Sequence, residues 1–236
     1  MVIVFGAGFA FLGVGSGGLD LGSLIRDTFG NKGSSGTSIS SAQKQVAKHP
    51  RDAHAYKVLA DAYERKGRTA EAAAALQQYV ALRPKDAAQL EHLAKLQSNE
   101  ARAALQDAQT AYTAQQYALA GSTFGASPTS KFGQALGQDP ITQAVSTKVT
   151  SATQEATSRY QSASSAAIAT FQKLTKARPD QASYFVLARA AEEFQNTPVA
   201  LSAYKALLKL VSDPATKRGI KARIAALQPA PKKGGR

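Results

Sequence analysis

The chain has no cysteine, no tryptophan and only three histidines. Without thiols there is no disulfide framework, no thiolate nucleophile and no cysteine-ligated zinc, and the redox compartment stays open. His49 and His54 stand on either side of Pro50 and so belong to different helices. They lack the i, i+4 spacing that puts two imidazoles on one helical face, and His92 is alone. No nucleophile elbow, phosphate-binding loop or zinc signature occurs. Glu64, Glu71, Glu192 and Glu193 have Lys or Arg nearby in sequence, so solvated ion pairs are expected of them rather than acid–base work. These absences predict a chain with no enzymatic activity, no cofactor and no metal.

Acidic residues are scarce: 16 against 29 Lys and Arg leave a net charge of +13. That balance favours acidic partners. The basic residues are scattered along the helices, however, with no basic run beyond the Pro-Lys-Lys-Gly-Gly-Arg tail. No nucleic-acid-binding motif accompanies them. An anionic polymer or nucleic acid is therefore the alternative partner class, and a generally basic surface the leading reading. Much of the apolar content is alanine, which suits closely packed helices and leaves β-sheets little to work with.

Charge is absent altogether from Met1 to Leu19. Three readings stand for this stretch: a membrane anchor that begins a few residues upstream of Met1, a segment packed on the folded body, or a disordered tail. The anchor reading leads, although Val2–Val14, the strongly apolar part, is shorter than the roughly 20 residues that span a bilayer. A secretory signal is disfavoured, since no Lys or Arg precedes the apolar run. Gly6-Ala7-Gly8 imitates the start of a dinucleotide-binding turn, but Phe11 stands where that fingerprint needs Gly or Ala, and no amphipathic helix follows. Residues 20–37 read as a Gly/Ser linker. The expected location is a single-pass membrane-anchored protein. The side is undetermined, with an extracytoplasmic domain favoured.

The most regular stretch is Ala53–Asp86. Tyr56, Leu59, Ala60 and Tyr63 fall at i, i+3, i+4 and i+7, one apolar helical stripe. Ala72, Ala75, Leu76, Tyr79 and Leu82 make a second. Between them Gly67 can take the left-handed conformation that ends a helix, and Pro84 stops the second helix. This spacing resembles the tetratricopeptide repeat, a helical hairpin of about 34 residues. A lone hairpin cannot bury both stripes, so neighbours are required.

The neighbours follow the same ruler. Pro50 and Pro84 are 34 residues apart. A second unit begins with Leu90, Leu93 and Ala94, but its second helix, Ala167, Phe171, Leu174 and Pro179, arrives about 61 residues late. The predicted organisation is all-α, a helical-hairpin solenoid over 38–228. Its repeats are 53–86, 87–181 and 182–214, with a capping helix at 215–228. A long antiparallel helical hairpin, about 97–165, splits the second repeat, with an alanine-rich seam. A serine at 40 or 41 is expected to cap the helix before the first repeat, and Asn196-Thr197-Pro198 to make the turn of the third. Residues 229–236 read as a basic disordered tail. At the hairpin tip, Phe124, Phe132 and Leu136 either close a small plug or stay exposed for a partner.

The resemblance also implies a site. In such repeats, first-helix side chains line a groove that takes a protein or peptide partner. The matching positions are His54, Lys57, Asp61, Glu64 and Arg65, then Glu91, Lys95 and Asn99, then Phe185, Arg189, Glu192 and Glu193. The family's carboxylate clamp would need Asn where Asp61 stands, so a generic peptide groove is expected. A mixed-charge solvated face is the competing reading. The resemblance thus implies a non-catalytic protein–protein interaction scaffold, and the anchor reading adds membrane tethering.

Overall fold

The computed structural model describes residues 37–122 and 140–228. Among them are eight helices and no strand: α1 Ile39–Lys48, α2 Ala53–Arg65, α3 Thr69–Leu82, α4 Ala87–Ser122, α5 Pro140–Ala177, α6 Gln181–Glu193, α7 Thr197–Leu210 and α8 Pro214–Leu227. Each helix packs chiefly on the helices before and after it in sequence. That nearest-neighbour order is the arrangement of a helical solenoid.

Helix starts are set by aspartates. Asp52 accepts from the backbone N–H of His54 at 2.9 Å, Asp180 from that of Ser183 at 2.8 Å, and Asp213 from that of Thr216 at 2.7 Å. Asp86 accepts from the Gln89 N–H at 3.2 Å and from the Tyr79 hydroxyl at 2.7 Å, which ties the end of α3 to the start of α4. Each satisfies an N–H that the first helical turn leaves without a partner. The serine before the first unit does the same, but it is Ser38, accepting from Ser41 N, and not Ser40 or Ser41. Those two lie downstream of the cap, which the sequence pattern placed two or three residues late.

Helices α2–α3 and α6–α7 are equivalent hairpins displaced by 128 residues. Asp52 and Asp180 are one such pair of caps. Gly67, at φ +70°, corresponds to Gln195, at φ +58°. The N–H of Arg68 donates to Tyr63 O at 3.0 Å, and that of Asn196 to Ala191 O at 2.7 Å. Both helices therefore end in the same left-handed closure. Asn196 then caps α7 through Val199 N, so the third repeat's bend lies at Gln195, one residue before the expected Asn196-Thr197-Pro198.

The core is narrow and alanine-rich. Ala60, Ala72, Ala94, Ala167, Ala188 and Ala200 are fully buried where helices approach, and Leu76, Leu90, Leu93 and Leu174 are the largest apolar side chains sealed inside. Tyr160 of α5 meets Phe194, just after α6, edge to face at 6.4 Å between ring centres.

Helices α4 and α5, 36 and 38 residues long, pack against each other and run well past the length of their neighbours. Gln97 pairs with Thr170 and Asp107 with Arg159, so the numbering rises on one as it falls on the other and the pair is antiparallel. The contact uses Ala94, Gln97, Ala101 and Ala104 on α4 against Ala156, Ala163, Ala167 and Thr170 on α5, all buried. Steps on α4 run three, four and three, and on α5 seven, four and three, the period of a supercoiled pair. Beyond Ala104 and before Ala156, none of the described side chains of the two helices is buried. Leu105, Tyr112, Tyr117 and Val145 stand exposed there.

No helix among the described residues is long and apolar enough to cross a membrane, so the single-pass, membrane-anchored location does not stand. Residues 1–19, which carried it, lie outside the described residues. The physical shortfall is length: Val2–Val14 as a helix would reach about 20 Å, against a hydrocarbon core of about 30 Å. The linker up to residue 36, the tip residues Phe124, Phe132 and Leu136, and the tail 229–236 also lie outside the described residues.

Candidate partner-binding face

The first helix of each unit, α2, α4, α6 and finally α8, carries a row of charged side chains that reach from one unit to the next. Glu64 of α2 lies 3.1 Å from His92 Nε2 of α4. Its Oε1 is buried and makes no well-aligned hydrogen bond, so the contact is an ion-pair distance without hydrogen-bond geometry. Arg102 of α4 grips Glu193 of α6 with two hydrogen bonds, 2.5 and 2.8 Å, and takes Asn99 at 3.0 Å with its remaining nitrogen. Arg223 of α8 reaches Glu192 of α6 at 2.5 Å, and the Tyr204 hydroxyl donates to the other oxygen at 2.8 Å. Glu64 and Glu192 are 128 residues apart. They occupy the same position in their units and each approaches a basic side chain of a later helix, but of the two only Glu192 is held by hydrogen bonding.

Glu91 sits at the centre of a further cluster. It accepts from Lys95 at 2.8 Å and from Arg178, at the end of α5, at 2.9 Å. Arg178 also holds Ser183 and Asp180 at the start of α6. Hydrogen bonds from Lys95 and then Arg178 keep the Glu91 carboxyl below the usual range. Arg102 does the same to Glu193. At Glu192 burial opposes ionisation, but Tyr204 and Arg223 together outweigh it and the carboxyl is again held low. All three are thus charged at neutral pH and committed to partners within the chain.

The expected groove residues therefore divide. Glu64, Glu91, Asn99, Glu192 and Glu193 serve as links between helices. Arg65 turns to the Thr37 carbonyl at 2.9 Å, towards the segment before α1. His54, Lys57, Asp61 and Arg189 make no side-chain hydrogen bond or ion pair among the described residues. Phe185 is half exposed, 51%, one helical turn before Arg189. Lys57 and Asp61, Glu91 and Lys95, and Phe185 and Arg189 hold matching places in the three units. The side chains open to a partner are thus a basic set with one carboxylate and one aromatic ring.

Sequence reasoning did not find His92, Arg102, Arg178, Tyr204 or Arg223 as partners. The 128-residue offset between Glu64 and Glu192 was the available signal, because equivalent positions face the same way toward the next unit. Among the described residues no group of three or more His, Asp or Glu is placed to hold a metal.

A family model described as tetratricopeptide repeat matches residues 37–87 and 159–229, together more than half of the chain. No curated protein matches it.

Proposed function

Since the chain belongs to the tetratricopeptide repeat family, a family of interaction repeats, we propose that it is a non-catalytic scaffold that holds a protein partner on the face of α2, α4 and α6. The observation that carries this reading is the division of that face. Its carboxylates Glu91, Glu192 and Glu193 are engaged by partners within the chain, while Phe185 and Arg189 are exposed and Lys57 and Arg189 join no ion pair among the described residues. Rigid links with open side chains between them make a preorganised surface, and preorganisation lowers the cost of binding. Asp61, beside Lys57 in the unit, argues against capture of a free carboxyl terminus there.

The same reading takes 87–181 as one repeat split by a helical arm, about 97–165. Two features support it: the family match leaves 88–158 uncovered, and α4 and α5 pair antiparallel over that interval. The arm would set the spacing between partners held at its base and others met along its length.

The test is affinity capture from lysate with the full chain and with Lys57→Gln/Phe185→Ser/Arg189→Gln, identifying what each retains. A partner lost from the variant by about tenfold or more, with helicity unchanged, is expected. The same partners retained in the same amounts would remove this face from the function.

A further inference from the structure

Positive charge is concentrated towards the C-terminal end of the sequence. Residues 197–236 hold nine Lys and Arg against one acid, Asp213, so +8 of the chain's +13 lies in its last forty residues. Asp213 does not offset that charge freely, because its carboxylate caps α8 through Thr216 N and Oγ1, each at 2.7 Å. Arg223 is engaged by Glu192. Lys205 and Lys209 on α7, and Lys217, Arg218 and Lys221 on α8, join no ion pair among the described residues. Four of the five are exposed and Lys217 is half-buried.

Elsewhere among the described residues Arg68 is matched by Glu71, Lys95 and Arg178 by Glu91, Arg102 by Glu193 and Arg159 by Asp107, and the unmatched cations lie among more numerous acids. On α8 the unmatched three fall within about a 100° arc at 3.6 residues per turn. That arc flanks the buried Ile220 and lies away from Arg223. The cations thus form a strip beside the contact with α7.

We propose that this end of the array is a second docking surface, and that its occupant is an extended acidic segment of a protein partner. Like charges so close repel one another, and an anionic ligand relieves that repulsion. Lys205 with Lys209, and Lys217 with Lys221, are i, i+4 pairs about 6 Å apart. Same-side carboxylates of an extended chain recur about every 6.6 Å, so successive acids can meet successive cations. Nucleic acid fits less well. No aromatic residue follows Tyr204, so the strip has nothing on which a base could stack. The proposal is independent of the α2–α4–α6 face, which is lined by other residues.

The test is fluorescence anisotropy with the full chain and two probes, a labelled peptide of alternating Glu and Ser and a labelled mixed-sequence single-stranded DNA. Lys217→Gln/Arg218→Gln/Lys221→Gln is compared with Lys44→Gln/Lys148→Gln/Lys173→Gln, which removes the same charge from exposed positions elsewhere. The strip variant is expected to bind the peptide about tenfold more weakly, and the control to change by less than about twofold. Equal losses in both would mean that only net charge acts, and would overturn the proposal. So would DNA bound more tightly than peptide with the loss confined to the strip variant, or no binding of peptide by the unaltered chain. Should the α8 variant lose helicity, Lys205→Gln/Lys209→Gln on α7 decides the matter by the same comparison.

Discussion

The left-handed residues Gly67 and Gln195 allow one repeat position to be tested in two directions. At φ +70° and +58°, both end a first helix in a conformation that costs a residue with a side chain about 1–2 kcal/mol. Glycine is free of that strain but loses about 0.5–1 kcal/mol more backbone entropy on folding. The difference leaves glycine favoured by about 0.5–1 kcal/mol at either site. No packing term complicates the comparison, since a Cβ at Gly67 meets nothing within 4 Å and the Gln195 side chain is exposed. Gln195→Gly should therefore stabilise the fold, and Gly67→Ala should destabilise it by a similar amount. For a chain of this size 1 kcal/mol moves Tm by about 2–4 °C. Thermal unfolding followed by circular dichroism should show a rise of about 1–3 °C for the first and an equal fall for the second. An unchanged or lower Tm for Gln195→Gly would refute the equivalence of the two hairpins at that closure.

Arg102→Met removes the double hydrogen bond to Glu193. Because both side chains are about half exposed, urea unfolding should show a loss of only about 0.5–1 kcal/mol, smaller still at high salt. Gln97 and Thr170, 3% and 5% exposed, hydrogen-bond at 2.7 Å between α4 and α5. Thr170→Val strands the Gln97 oxygen and should cost about 1–3 kcal/mol, of which Gln97→Leu added to it should restore part. Leu174→Ala, at a fully buried site, should cost about 2–5 kcal/mol. Glu91, Glu193 and Asp86 all have lowered carboxyl pKa values, in each case chiefly through a side-chain hydrogen bond. The unfolded chain binds their protons first, so their stabilisation is complete at neutral pH. It should drain away below about pH 5, as the pH falls toward the folded values. Tm that stays flat from neutral to acid pH would contradict these bonds.

Much of the fold is legible because its marks are local. A capping aspartate, a glycine at a helix end and apolar residues at 3.6-residue spacing each act within a few residues, and they recur on a 34-residue ruler. The interval between Pro84 and Pro179 exceeds that ruler by about 61 residues, and α4 and α5, which lie in it, are far longer than their neighbours. What resists reading depends on rotation between units. Glu64, Glu192 and Glu193 look like solvated surface acids along their own helices, yet they reach the next helix, which only the unit-to-unit angle determines. Leu105 and Tyr112 share a seven-residue spacing with Ala104 and Ala111, one position away. An alanine-rich seam is expected from the sequence, but the seven-residue spacing on α4 does not by itself choose between the two rows. The structure assigns the seam to the alanines, whose small side chains let the helices approach, and leaves the larger residues outside. Gln195 was hidden for a different reason: the left-handed position it fills is normally announced by glycine.

The most direct test of the partner-binding face uses photo-crosslinking from single positions. A photoreactive side chain placed at Phe185 or Arg189 should capture a partner, and one at Gln78, exposed on α3 away from the first-helix row, should not. Crosslinks from Gln78 with none from Phe185 or Arg189 would contradict the account.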